Sequence, residues 1–150
     1  MTAAVEKINV PGAPQPTARF SHVAIVEPGY RMVHIGGQTP IDADGKQMIG
    51  DFERQVDLVF ANVTKVLEAV GARWEDVAFV RGYLTRAEDF PRYVAARERF
   101  YSKACDKPPA TTSLIVSGLY HPDCLFEMDV LAAVPSSPAP SSSSRPMRRR

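Results

Sequence analysis

KPPATTSLIVSGLYHPDCLFEMDVLA, residues 107–132, is the stretch on which the fold can be read. In its second half Phe126, Met128, Val130 and Ala132 interleave with Leu125, Glu127, Asp129 and Leu131, the period-two pattern of a strand with one buried face. The first set is expected to face a layer of helices and the second to point away from it. Leu125 and Leu131 would then stand in water beside Glu127, which suggests that a second subunit covers that face. A carboxylate dried at such a boundary has its pKa raised and is able to hold a water or move a proton. A surface glutamate with an ordinary charge partner is the alternative. The first half of the stretch predicts a shorter strand over 112–117.

Working outward, residues 51–70 place Phe52, Val56, Val59, Phe60, Val63, Val66, Leu67 and Val70 at three- and four-residue steps. Asp51 suits the N-cap and Gly71 lies just past the end, so the segment predicts a helix with one buried face. A second helix is predicted from Asp89, with Pro91 in its first turn and Phe90, Tyr93, Val94, Phe100 and Tyr101 buried. Strand-type runs occupy 21–26, 31–35, 77–85 and 125–133, with a weaker one at 5–10. The order β-β-β-α-β-α-β-β indicates an α/β fold: one mixed sheet with two helices packed on one face.

A chain of 150 residues with 45% hydrophobic content suits one domain, which buries roughly two thirds of its unfolded surface. No basic segment followed by an apolar run opens the chain, and no window approaches the ~20 apolar residues of a membrane span, so a cytoplasmic protein without membrane association is expected. The net charge of +1 conceals an asymmetry, because four arginines crowd the closing RPMRRR; residues 1–144 hold 14 basic and 17 acidic groups, a net of −3. No specific nucleic-acid partner is expected for so mildly acidic a domain. Residues 135–150, PSSPAPSSSSRPMRRR, are too rich in serine and proline to offset the entropy of ordering. The domain is therefore expected at 1–134 and a disordered Ser/Pro/Arg-rich tail at 135–150.

Several chemistries are excluded by spacing. Cys105 and Cys124 are too few for a disulfide framework and are expected as free buried thiols. His22, His34 and His121 lack metal-ligand spacing, so no metal site is expected. GGQTP at 36–40 has no following Lys-Ser/Thr and is not a phosphate loop. Asp42 and Asp44 suit an Asp-Gly turn, since the other ligands of a calcium loop are missing.

INVPGAP (8–14), ARFSHVA (18–24), HIGGQTPID (34–42), VRGYLT (80–85), EDF (88–90), PPATTS (108–113) and FEMDVLA (126–132) resemble, in order and spacing, the Rid proteins, the YjgF-like reactive intermediate deaminases. The resemblance covers residues 5–134. It implies a chorismate-mutase-like α/β fold, a homotrimer and three clefts between subunits that take a small-molecule ligand without metal or organic cofactor. In the founding branch those clefts hydrolyse 2-imino or 2-enamino acids to 2-keto acids and ammonia.

Carried over residue by residue, the resemblance is incomplete. The family arginine that grips the substrate carboxylate falls at Thr111, and a neutral hydroxyl cannot supply its charge. The aromatic hydroxyl of the family falls at Phe20, followed by Ser21 and His22. Its turn serine is Gly36, with Gly37 and Gln38 retained, and its second-helix asparagine aligns with Val94. Glu127 matches the water-positioning carboxylate, and Thr112 and Ser113 keep small polar side chains at the cleft. The first functional expectation is an enzyme acting on a less acidic or bulkier imine, enamine or conjugated compound: Glu127 orients water, His22, Thr111 and Ser113 replace the lost donors, and Phe20 and Val94 line a more apolar pocket. The alternative is a ligand-binding or regulatory trimer without catalysis. A residual 2-iminobutanoate/2-iminopropanoate deaminase ranks third, because losing an arginine contact to a desolvated carboxylate costs several kcal/mol.

Overall fold

The computed structural model of the chain describes residues 3–136. Its elements follow in the order β1 (Val5–Ile8), β2 (Val23–Val26), β3 (Tyr30–Gln38), α1 (Phe52–Ala69), β4 (Val77–Leu84), α2 (Phe90–Ala104), β5 (Ala110–Ile115) and β6 (Phe126–Pro135). Strand β6 carries the predicted alternation. Phe126, Met128, Val130 and Ala132 are all 0% exposed and form the centre of the core under the helices. Burying a large apolar side chain of this kind contributes roughly 1.5–3 kcal/mol, which is why the strand's register is firmly set.

The sheet runs β3-β6-β4-β5, with β6 antiparallel to both neighbours and β4 parallel to β5 through the α2 crossover. Strands β1 and β2 pair antiparallel as a separate ribbon, so the expected mixed sheet has four strands instead of six. The ribbon lies on the face away from the helices, where Ala4 and Val5 pack with Ala78 and Ala133. It covers one end of that face only.

Helix α1 starts and stops as its sequence dictates. The Asp51 carboxylate accepts from the Arg54 amide at 3.2 Å. At the other end Gly71 takes a left-handed φ of 76°, and the Ala72 and Gly71 amides donate to the Leu67 and Glu68 carbonyls at 2.9 and 3.0 Å. Two otherwise orphaned carbonyls are thereby satisfied. Buried Gln55 supplies a contact that hydrophobic periodicity does not show: its amide donates to the Met48, Gly50 and Asp123 carbonyls and accepts from the Leu125 amide. It fastens the loop ahead of β6.

Several sequence expectations are corrected. Leu125 packs against the helix-side core, drawn there by the Gln55 anchor, and does not stand beside Glu127. Phe90 is 40% exposed, because it opens α2 next to the edge strand, while Ala96 and Arg97 join Tyr93 and Tyr101 on the buried face. Val70 is also 40% exposed, past the last turn of α1. Strand β3 continues beyond Ile35 to Gln38 through an irregularity in its pairing with β6, and β5 starts two residues before the predicted 112. Strand β6 runs to Pro135, two residues past the predicted 133 and one past the expected domain end at 134, and the Ser136 amide donates to the Gly29 carbonyl at 2.9 Å. The rest of the predicted tail lies outside the described residues.

Candidate functional site

The register of β4 and β5 divides the predicted site residues between two sides of the sheet. Thr111 and Ser113 pair with Val80 and Gly82, so they share the helix-facing side. Thr112 pairs with Arg81 and points the other way. On the helix side, Phe20, Val94, Thr111 and Ser113 line an open cavity of about 510 Å³, which Phe90, Pro91 and Arg97 also line. Four of the predicted residues thus come together.

Phe20 reaches this cavity because the segment before β2 is tied to the start of β5. The Ser21 amide donates to the Pro109 carbonyl at 3.1 Å, and its hydroxyl donates to the Pro108 carbonyl at 2.7 Å. Lys7, 4% exposed, reinforces the junction by donating to the Lys107 carbonyl at 3.0 Å, and burial lowers its pKa. Its apolar surroundings disfavour the ammonium. A larger groove between the helices, along Leu67, Trp74, Ala96 and Phe100, is reached by none of the predicted residues.

Glu127 stands on the opposite face, across from Tyr83 of β4. Its carboxylate lies over Gly37: a Cβ built there would collide with Oε1 and come within 3.0 Å of Cδ. The pairing irregularity between Ile35 and Gln38 falls here, and glycine leaves the space the carboxylate fills. Neighbouring Asp129 is satisfied by Arg81 Nε at 3.0 Å and by the Tyr83 hydroxyl at 2.7 Å. Glu127 has no hydrogen bond or ion pair among the described residues. Partial burial pushes its pKa up and the charge of Asp129 adds to the shift. The result is an unengaged carboxylate more basic than an ordinary glutamate, suited to accept a proton from water.

His22 is placed differently from its expected role. Its Nδ1 accepts from the Val10 amide at 3.0 Å, its Nε2 lies 2.8 Å from the Pro14 carbonyl, and its own amide donates to Asn9 Oδ1. With Nδ1 accepting, Nε2 carries the proton and donates. Both ring nitrogens are spent on holding the loop between β1 and β2, and His22 does not line the cavity.

Arg97 is the residue that hydrophobic patterning passes over. It is only 3% exposed, lines the cavity, and places its guanidinium carbon 5.2 Å from the Tyr93 ring centroid and 6.0 Å from that of Phe20. Its Nε is buried without a hydrogen-bond partner among the described residues, as is the hydroxyl of Tyr93. Burial holds Tyr101 well above the ordinary tyrosine range, so its hydroxyl stays protonated. The helical spacing of Tyr93, Val94 and Arg97 was a usable signal, since positions three and four apart share a face.

Both thiols are free and buried. Asp42 Oδ1 accepts from the Asp44 and Lys46 amides at 2.9 Å, which is the Asp-Gly turn expected from the sequence. Among the described residues no three His, Cys, Asp or Glu side chains gather as metal ligands, and no helix is long and apolar enough to cross a membrane.

Comparison with known proteins agrees with this architecture. The family model described as endoribonuclease L-PSP matches residues 11–134. A RutC family protein of Pyrococcus abyssi is 30% identical over 130 residues, covering 86% of this chain and 97% of its own length. A 2-iminobutanoate/2-iminopropanoate deaminase of Dermatophagoides farinae is 30% identical over 95 residues, 63% of this chain and 72% of its own. Among solved structures, a protein of the Rid family from Yersinia pestis superposes with a TM-score of 0.77 at 29% identity, covering 87% of this chain and 99% of that one.

Proposed function

The chain belongs to the Rid (YjgF-like) family, and from that premise we propose that it is a small-molecule hydrolase of reactive imines or enamines, working in a cleft that two copies complete. The observation that carries the proposal is Glu127: an unengaged carboxylate with a raised pKa, over a glycine that makes room for it. In the reaction Glu127 takes a proton as water oxygen bonds to the imine carbon. That proton passes to nitrogen and gives a carbinolamine; Glu127 then takes the hydroxyl proton and delivers it to nitrogen as the C=O bond forms and the C–N bond breaks, so that a carbonyl compound and ammonia leave. Atoms and charge balance without a redox partner.

The division of the site favours a shared cleft. Glu127 and Thr112 lie on the open face of the sheet, while Phe20, Val94, Thr111 and Ser113 lie behind it, so one chain does not bring them to one cavity. A homotrimer in which the open face of one copy meets the cavity of the next would unite them. Met32, Leu114 and Leu131 give that face its apolar content, Met32 and Leu114 being 47% and 39% exposed. The word endoribonuclease in the family description suits this chain less well, since residues 1–144 carry a net charge of −3 and a polyanion needs a basic face.

Glu127→Gln tests the proposal. Imines generated in situ by an amino-acid oxidase, from three-carbon to aromatic acids, serve as substrates, and light scattering reports assembly. Turnover should fall ~100-fold or more with the trimer intact, within the range for a general acid/base. Unchanged turnover removes Glu127 from the mechanism. A monomer at micromolar concentration removes the shared cleft.

A further inference from the structure

We infer that Arg97 is an anion receptor, so that the ligand of the 510 Å³ cavity carries a carboxylate, gripped from helix α2 and not from strand β5 where Thr111 stands. This deepens the proposed function and rests on it for the identity of the cavity. Position 111 alone predicts a less acidic ligand; Arg97 reverses that expectation.

Three observations converge. Ion pairs among the described residues engage Arg73, Arg81, Arg86 and Arg92, whereas Arg97 has none, although it is the most buried of these arginines. A guanidinium kept at 3% exposure without a carboxylate is costly, and the rings of Phe20 and Tyr93 compensate it only in part. Those same rings lie 5.2 and 6.0 Å from the guanidinium carbon, and a guanidinium held in contact with aromatic rings offers a fork for two-pronged recognition of a carboxylate. Ser113 adds a hydroxyl to the same cavity and Thr111 lines it with its own hydroxyl donating to the Pro109 carbonyl at 3.3 Å, while Phe20, Pro91 and Val94 offer an apolar wall for the body of the ligand. An acid with an apolar body fits all of these groups. A neutral ligand leaves the charge unanswered.

The test uses the full-length protein and pairs of probes that differ in charge but hardly in shape: benzoate against benzamide, and butyrate against butyramide, titrated by calorimetry. The wild type should bind each acid at least ~10-fold more tightly than its amide. Arg97→Gln should abolish the preference, and Arg97→Lys should keep part of it, since a point charge attracts an anion without the fork. Arg97→Met should fold with an unchanged or higher melting temperature, because it removes an unanswered buried charge. Equal binding of acid and amide by the wild type overturns the inference, as does a preference that persists in both Gln and Met variants. So does dissociation of the trimer in Arg97→Met without any acid preference in the wild type, which would assign Arg97 to a partner's carboxylate. Imine turnover lost in Glu127→Gln but indifferent to Arg97→Gln would sink Arg97 and leave the hydrolase standing. Arg97-dependent acid binding without turnover of any imine would do the reverse.

Discussion

Gly37→Ala separates the placement of Glu127 from the stability of the fold. Gly37 has no positive φ, so its backbone accepts alanine. What the new methyl meets is the far end of one flexible side chain, Glu127, whose carboxylate carbon would be 3.0 Å from it and Cγ 3.4 Å. Displacing that end costs about 0.5–1.5 kcal/mol of off-rotamer strain. Replacing glycine returns about 0.4–1 kcal/mol by stiffening the unfolded chain. The two nearly cancel, so the melting temperature should move by no more than about 4 °C for a domain of this size. Catalysis has no such compensation. A carboxylate moved by an ångström loses its hold on water, and misplacement on that scale costs on the order of 100-fold. The assay is imine turnover beside thermal melting for Gly37→Ala, Glu127→Gln and the double variant. If Gly37 acts only by making room for Glu127, the double variant falls no further than Glu127→Gln. Undiminished turnover in Gly37→Ala would refute the link between glycine and carboxylate, and additive losses in the double variant would give Gly37 another role.

The raised pKa of Glu127 fixes a pH dependence. Turnover that needs the ionised carboxylate should rise with pH through an inflection above the ordinary glutamate value and lose that inflection in Glu127→Gln, read from a pH–rate profile. Stability runs the other way: the raised folded-state pKa favours the protonated form, so its contribution is full below the unfolded value and is lost as pH rises through the folded one. Denaturant melts should therefore show Glu127→Gln gaining on the wild type as pH increases over that window. His22→Ala should lose about 1–2 kcal/mol from two side-chain hydrogen bonds to backbone, measured by urea unfolding, while imine turnover and acid preference stay unchanged.

Local periodicity was legible within the elements and failed at helix ends, where Val70 and Phe90 are exposed. The alternation of 126–132 placed Glu127 on the face away from the helices, and the caps of α1 followed from Asp51 and Gly71 as single residues. What escaped was set by contacts distant along the chain. Leu125 reads as one more position of the alternation, yet a hydrogen bond from its amide to Gln55, seventy residues earlier, draws it to the core side. The resemblance put His22 beside the cleft, but only the folded loop spends both of its ring nitrogens on Val10 and Pro14.

Arg97 shows a different limit. A charged residue inside an amphipathic helix reads as surface, because arginine is almost never fully buried unless paired. The structure buries it unpaired, and the reason sits in two other parts of the chain: Phe20, brought in by the bonds of Ser21 to Pro108 and Pro109, and Thr111 on the strand those prolines precede. Position 111 on its own says that a carboxylate has nothing to bind. The cavity as a whole does not, since the charge missing from the strand is present on the helix that faces it, and only a fold that sets α2 over β5 makes the two positions interchangeable.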